Sequence, residues 1–353
     1  MTPNVRSLFE QKNYPVFQNR MHDSEKEARD CPKGDIKIVE NLQTGLVYNE
    51  LFRPELMNYD GHYQNEQGVS RIFQTHLEGV VQILERTMGC SGIVEVGCGK
   101  GLFLELLLTR GFDITGFDPT YEGQNPRIRK TYFDPGSGIQ ANGLVLRHVL
   151  EHIQNPVGFL DGLKQSNTGG GKIYIEVPCF DWICKHRAWF DVFYEHVNYF
   201  RLSDFGRMFG TIHESGHLFG GQYIYVVADL ASLRQPGFKL DDQVLFPLDF
   251  SASIDGSNNL RRGEAAIWGG ASKGVIFALL KERVGQAVGT VIDINPAKQG
   301  KYLASTGLRV RSPTEALPLL KSGSTIYVMN SNYLEEIKKM SNNAFIYIGV
   351  DHE

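Results

Sequence analysis

Apolar positions recur along the chain with the periods of both helices and strands. Between residues 69 and 88 they are spaced by three and four, which predicts a helix with one buried face. An apolar run at 92–96 ends at glycine and predicts a buried strand. The same reasoning predicts strands at 112–117, 143–147 and 172–177, and helices at 102–109 and 156–165. Strands that alternate with helices are typical of an α/β fold with a doubly wound parallel sheet.

The pattern changes on either side of this region. Residues 1–65 are polar and charged as far as Asp30 and predict only a short β-containing segment. After Phe200 we expect a helix at 203–209 with Ser203 as its N-cap, then an antiparallel strand at 223–227. A polar connector carrying a helix or two precedes a second set of strand and helix signals. The predicted units are an N-terminal segment (1–65), a main domain (66–230), a connector (231–262) and a smaller C-terminal Rossmann-like α/β domain (263–353).

Composition narrows the class of protein. The 353 residues include 36 basic and 40 acidic side chains, a formal charge of −4, which gives no cationic field for nucleic acid or anionic membranes. The longest apolar runs fall far short of the ~20 residues that cross a bilayer. Residues 1–20 also lack an apolar signal core. We therefore expect a cytoplasmic protein with neither nucleic-acid nor membrane partners.

The five cysteines have no regular spacing and form no CxxC pair. Disulfides and a structural zinc site, which needs four close-spaced ligands, are therefore not expected.

A glycine-rich turn joins the strand at 92–96 to the next helix, in the order Glu95-Val-Gly97-Cys-Gly99-Lys-Gly101. Glycine allows the backbone to turn sharply and to approach a ligand closely. The spacing GxGxG departs from the GxGxxG of dinucleotide sites, and no GK[ST] follows it as in a P-loop.

This turn, followed by Asp118 at the end of the next strand, resembles the class I S-adenosylmethionine-dependent methyltransferases. The resemblance implies S-adenosylmethionine as cofactor, with Glu95 and the glycines 97, 99 and 101 around it. It also implies that the Asp118 carboxylate accepts both ribose hydroxyls, which an ionised carboxylate does well.

The segment Arg147-His148-Val-Leu-Glu-His152 resembles the fourth-strand region of the same superfamily, whose loop faces the reactive methyl group. We expect His148 to contact cofactor or substrate. On a helix, the four-residue spacing of His148 and His152 would allow both to bind one metal ion. The local pattern is instead that of a strand end, and no third ligand is evident. We therefore predict no metal.

Aromatic residues cluster between 181 and 200 around the pair Glu195-His196. Trp189, Phe190 and Phe200 are predicted core residues. Apolar walls shift pKa values and an adjacent carboxylate can orient an imidazole, so His196 is a candidate base.

The pair Glu195-His196 belongs to a larger pattern that resembles the deoxysugar C-methyltransferases. The other parts of this pattern are His152, the strand at 173–178 and the C-terminal blocks Gly270–Gly274, Asp293–Lys298 and Gly300–Tyr302. That resemblance covers most of the chain from Tyr59. Two features depart from the family: its cysteine-rich zinc domain is reduced to Cys31, and its tyrosine before the Glu-His pair is Phe193 here. The neighbouring Tyr194 is the candidate for the catalytic role of that tyrosine.

The resemblance implies C-methylation of a nucleotide-linked 4-keto-deoxysugar. His196 would remove a proton beside the ketone, oriented by Glu195, with His152 and Tyr63 near the enolate oxygen. An O- or N-methyltransferase, an inactive binding module, and a dehydrogenase using the turn at 269–274 are the alternatives. The sequence does not determine the oligomeric state.

Overall fold

The computed structural model describes residues 4–57, 68, 70–255 and 265–351. Numbered along the chain, strands β1–β16 are Val5–Pro15, Lys33–Asn41, Val47–Asn49, Ile93–Val96, Ile114–Phe117, Ile128–Arg129, Gly143–Arg147, Lys172–Pro178, Asn198–Tyr199, Ile212–Leu218, Tyr223–Asp229, Ala265–Trp268, Thr290–Ile292, Val310–Arg311, Thr325–Val328 and Ile346–Gly349. Helices α1–α9 are Glu25–Arg29, Arg71–Met88, Leu102–Thr109, Pro156–Ser166, Phe180–Lys185, Leu202–Met208, Lys273–Arg283, Pro313–Ala316 and Leu334–Met340.

The central sheet has the order β10-β11-β8-β7-β4-β5-β6. Its five strands from β8 to β6 are parallel, and β11 and β10 form an antiparallel end. This arrangement confirms the predicted α/β fold. Strand β10 was not expected, because its sequence is largely polar and its side chains alternate between exposed and half-buried at the edge of the sheet.

Helix α2 has the buried face that its spacing predicts. Its buried residues are Phe73, His76, Leu77, Val80, Val81, Ile83 and Leu84. Ser70 caps the first turn by accepting a hydrogen bond from the N–H of Ile72, and Gly89 ends the helix at a φ of 75°. At α6 the predicted cap is wrong: Arg201 is the N-cap, and its N–H donates to the Asp204 carboxylate, while Ser203 lies inside the helix.

The N-terminal region is more ordered than its composition indicates. A four-stranded antiparallel sheet has the order β1-β2-β3-β9, so its last strand comes from the aromatic segment near residue 198. The sequence predicts a β-containing segment here, and the structure adds that its first strand, β1, extends over eleven residues. Strand β1 has two register shifts against β2, which interrupt the two-residue period by which a strand is recognised.

The C-terminal sheet is parallel, in the order β14-β13-β12-β15-β16. It has the α/β architecture that the sequence predicts. In the described part of the connector, through residue 255, the helical turns are short 3-10 turns at 240–242 and 252–254. No helix within the described ranges has both the length and the apolar character to span a bilayer.

Candidate active site

The glycine turn lies at the carboxyl end of β4. Gly97, Gly99 and Gly101 have φ values of 74°, 53° and 83°, in the left-handed region that favours glycine. A Cβ on Gly97 would lie 2.6 Å from Val149 Cγ2, whereas one on Gly99 would enter open space. Gly97 therefore packs against the loop that follows β7, and Gly99 leaves room for a ligand.

Asp118 follows β5 and lies beside this turn. One oxygen of its carboxylate accepts a hydrogen bond from the Gly99 N–H at 2.8 Å. The other accepts from the N–H and hydroxyl of Thr120, at 2.8 and 2.7 Å. The structure thus brings Asp118 to the glycine turn, as the sequence predicts.

Glu95 lies on β4 and is almost completely buried, with 4% of its surface exposed. Its Oε2 has no hydrogen-bond partner among the described residues. Burial raises the pKa of this carboxyl to about 7, while Arg147 opposes the shift. A buried oxygen without a partner, close to an open glycine turn, is a position for a polar ligand group.

We expect Glu95→Gln to stabilise the chain in an alkaline buffer. The folded-state pKa of about 7 exceeds the ordinary 4.5, so the stability that this carboxyl contributes is present at low pH and is lost as the pH rises through 7. Relative to wild type, the variant should gain up to about 3 kcal/mol in free energy of unfolding at pH 8. The gain should be much smaller at pH 5, measured by urea denaturation.

Glu105→Gln, on the exposed face of α3, is the matched control. An equal change for Glu95→Gln at both pH values would contradict the assignment of a penalty to the ionised Glu95 carboxylate.

A buried ionic cluster supports the loop after β7. Glu176, on β8, contacts His76 at 2.8 Å, Arg147 at 3.1 Å and the His148 Nε2 at 3.2 Å. Burial alone would lower the pKa of His148, but its contacts with Glu151 and Glu176 raise it to about 9. His148 has a left-handed φ of 52°, which a non-glycine residue rarely adopts. The cluster therefore fixes an imidazolium at the carboxyl end of the sheet.

His152 and His196 lie side by side, with ring centroids 5.0 Å apart. The Nδ1 of His152 donates to the backbone carbonyl of Glu195 at 2.8 Å. Burial, together with His152 and His148, holds the pKa of His196 well below its usual range. His196 is therefore neutral at neutral pH, the form in which an imidazole can accept a proton.

Glu195 and Tyr194 also make contacts that the sequence did not indicate. The Glu195 carboxylate accepts from the Gln18 N–H at 3.0 Å, and the Tyr194 hydroxyl accepts from the Arg53 N–H at 3.0 Å. Both side chains thus hold the N-terminal region against the aromatic segment. The catalytic roles expected for them stay predictions, and Tyr63 lies outside the described residues.

The aromatic segment forms the wall behind His196. Phe193 packs edge-on against the His196 ring, with centroids 4.8 Å apart, and Tyr199 lies at 6.4 Å. The predicted core residues Trp189, Phe190 and Phe200 are all buried. The sequence correctly predicted a mainly apolar environment here.

Three residues of the site were missed in the sequence. Glu176 was detectable as the one acid in the apolar strand Ile-Tyr-Ile-Glu-Val. Tyr223 packs against His148 with ring centroids 4.6 Å apart, but no spacing rule relates residues so far apart in sequence. Glu151 was named only as part of the motif; with His152 and His196 it offers three ligand atoms within 4.8 Å of one another, a set that could hold a metal.

The residues around the glycine turn fit S-adenosylmethionine. Gly99 leaves space beside the backbone, and Asp118 presents a carboxylate for vicinal hydroxyls. Glu95 presents a buried oxygen that has no hydrogen-bond partner among the described residues. These are the groups that a nucleoside with a charged amino-acid tail requires.

The comparison with models of protein families agrees with this fit. A family model described as a methyltransferase domain matches residues 59–212. No curated protein matches the chain.

Among solved structures, the chain is similar to the plantazolicin methyltransferase BpumL, with 20% identity, a TM-score of 0.28 and coverage of 33% of this chain. That match spans about half, 51%, of BpumL. A methyltransferase from Archaeoglobus fulgidus has 18% identity and a TM-score of 0.34, with coverage of 45% of this chain and 100% of that one. For the N-methyltransferase NodS from Bradyrhizobium japonicum WM9 the identity is 14%, the TM-score 0.33 and the coverages 46% and 97%.

The glycine turn, Asp118 and the match to the family model lead to one conclusion. Residues 59–212 match a methyltransferase domain, and the chain is an enzyme that uses S-adenosylmethionine as its methyl donor.

Proposed function

We propose that the enzyme methylates a carbon atom of a nucleotide-linked keto-deoxysugar through an enolate formed by a base. The observation that supports this most is the contact between two loops. Gly97 of the cofactor turn packs directly against Val149, which lies between His148 and His152. Strands β4 and β7 are parallel neighbours, so both loops lie at the same edge of the sheet. A methyl donor and the histidines would therefore share one cleft.

His196 is the proposed base. S-adenosylmethionine supplies an electrophilic methyl group when bound, and a carbon must lose a proton before it can accept that group. The neutral imidazole of His196 takes this proton from the carbon next to the ketone, leaving an enolate. The ring of His196 packs against Phe193 and Tyr199, which fixes the position of the base. The enolate carbon would then take the methyl group as the sulfur–methyl bond breaks, with S-adenosylhomocysteine as the leaving group.

His152 is proposed to stabilise the enolate oxygen. Its Nδ1 donates to the Glu195 carbonyl, which fixes the orientation of the ring beside His196. His148 supplies a positive charge, held by Glu176. A donor aimed at developing charge is generally one of the larger contributions to catalysis.

The C-terminal domain is proposed to hold the nucleotide of the acceptor. A cavity of about 180 Å³ lies at the carboxyl edge of its parallel sheet, lined by the turn at 269–273, by Lys298 and by Tyr333. Tyr223 also lines it, and the same ring packs against His148. An acceptor with its nucleotide in this cavity would therefore have its sugar near the histidines. Carboxyl edges of parallel sheets are common ligand sites.

Lys298→Met should raise the KM for the acceptor by about tenfold, which corresponds to the loss of one charge-assisted hydrogen bond of about 1.5 kcal/mol. Lys298 is buried in the cavity wall, 3.6 Å from Asp293. The KM for S-adenosylmethionine should stay unchanged, because the cofactor residues belong to the other sheet. Lys339→Met, exposed on α9, is the control. A parallel rise in both KM values would count against this placement of the nucleotide.

The proposed function is tested by incubating the enzyme with S-adenosylmethionine labelled in its methyl group and a panel of nucleotide keto-sugars. The product is then located by NMR. A methyl group on the carbon next to the ketone supports the proposal. A methyl group on oxygen or nitrogen, or binding of S-adenosylmethionine without any transfer to the panel, contradicts it.

A further inference from the structure

Two imidazoles and a carboxylate converge behind the loop after β7. Glu151, His152 and His196 each place one ligand atom so that all three lie within 4.8 Å of one another. This donor set is typical of sites for zinc and other divalent first-row metals. His196 is 44 residues from His152, and the fold rather than the sequence brings them together.

The Glu151 carboxylate is an independent indication of a ligand. Its side chain is 2% exposed, and its Oε1 lies 3.4 Å from the His148 Nδ1. Its Oε2 is buried and has no hydrogen-bond partner in the described part of the chain. Leaving a carboxylate oxygen buried and unpaired is costly, and a bound cation would remove that cost.

The second indication is the orientation of His152. Its Nδ1 donates to the Glu195 carbonyl at 2.8 Å. Histidine ligands of metals usually donate their other ring N–H to a carbonyl or a carboxylate, which fixes the tautomer with the second nitrogen as the ligand. His152 therefore already has the outer contact that a metal ligand needs.

We propose that Glu151, His152 and His196 bind one divalent transition-metal cation of the zinc class. Tetrahedral ligands at a zinc–nitrogen distance of ~2.0 Å are roughly 3.3 Å apart. The three ligand atoms lie within 4.8 Å of one another, so each separation needs to shorten by at most about 1.5 Å on binding. Three protein ligands leave a coordination position open. The effect of the metal on activity rests on the proposed function. Bound metal inhibits methyl transfer, because it occupies the lone pair with which His196 takes the substrate proton.

The site is tested with Co²⁺, which reports coordination through its visible absorption bands. Chelator-treated enzyme is titrated with Co²⁺ and, in parallel, with Zn²⁺ by calorimetry. One cation should bind to the wild type, and binding should weaken by more than about tenfold in Glu151→Gln and His152→Ala. His213→Ala, a partly exposed histidine paired with Asp229, is the control and should bind as the wild type does.

Thermal unfolding and binding of S-adenosylmethionine show whether each variant is folded. If the buried substitution Glu151→Gln prevents folding, His152→Ala alone tests the metal site. Equal Co²⁺ binding in wild type, His152→Ala and Glu151→Gln would overturn the metal site. Zn²⁺ should inhibit turnover in competition with the acceptor, and a chelator should restore it.

The metal site and the proposed function fail in different ways. Cation binding without inhibition would support the metal site and contradict His196 as the base. If the wild type shows no Co²⁺ absorption bands but His196→Asn loses turnover, the metal site is overturned and the proposed function is not.

Discussion

Replacing His196 with asparagine is expected to lower kcat by about 100- to 10,000-fold, the usual contribution of a general base. The side chain keeps a similar size, so the aromatic wall formed by Phe193 should stay packed. Asparagine cannot accept a proton from carbon. Binding of S-adenosylmethionine should be nearly unchanged, because the residues proposed to bind the cofactor lie at the glycine turn. Single-turnover kinetics and calorimetry measure the two effects separately.

His213→Asn is the matched control for this variant. His213 lies on β10 and pairs with Asp229 at the partly exposed edge of the central sheet, so its replacement should leave kcat within about twofold. If His196→Asn lost cofactor binding as strongly as turnover, the assignment of His196 as base would be wrong.

Asp118→Ala is expected to have the opposite effect, a loss of cofactor affinity of more than about 100-fold. The carboxylate would accept two ribose hydroxyls, and hydrogen bonds to a charged group each contribute about 1.5 kcal/mol or more. The same carboxylate receives the N–H of Gly99, so the glycine turn also loses its anchor. Calorimetry with S-adenosylmethionine and with S-adenosylhomocysteine measures the loss directly.

Two further variants separate these effects. Asp118→Asn keeps an acceptor for Gly99 but loses the charge, and its affinity should lie between those of wild type and Asp118→Ala. Asp113→Ala removes an exposed carboxylate paired with Arg127 and should bind the cofactor normally. Unchanged affinity in Asp118→Ala would contradict the ribose contact.

Local patterns predicted the part of the site that lies on consecutive elements. Gly97 and Gly99 follow β4 directly, Asp118 follows β5, and parallel neighbours end at the same edge, so their meeting follows from the alternation of strands and helices. The left-handed φ values at the glycines are those that a sharp turn requires.

Contacts between distant segments could not be predicted in this way. Strand β9 completes the N-terminal sheet from residues 198–199, and the pairing of Glu195 with Gln18 follows from that long-range closure. Glu151 was read as part of a motif, because only the folded chain shows that its carboxylate is buried beside His196. Register shifts in β1 concealed the first strand for a different reason, since they break the alternation of side chains.

The exchange of substrate hydrogen with solvent tests the central claim most directly. The enzyme is incubated in D₂O with S-adenosylhomocysteine and a nucleotide keto-sugar that it methylates, so that proton removal proceeds without methyl transfer. We predict that deuterium enters at the carbon next to the ketone with wild-type enzyme and not with His196→Asn. Methyl transfer by an enzyme that catalyses no such exchange, or exchange that persists in His196→Asn, would contradict a carbanion formed by this histidine.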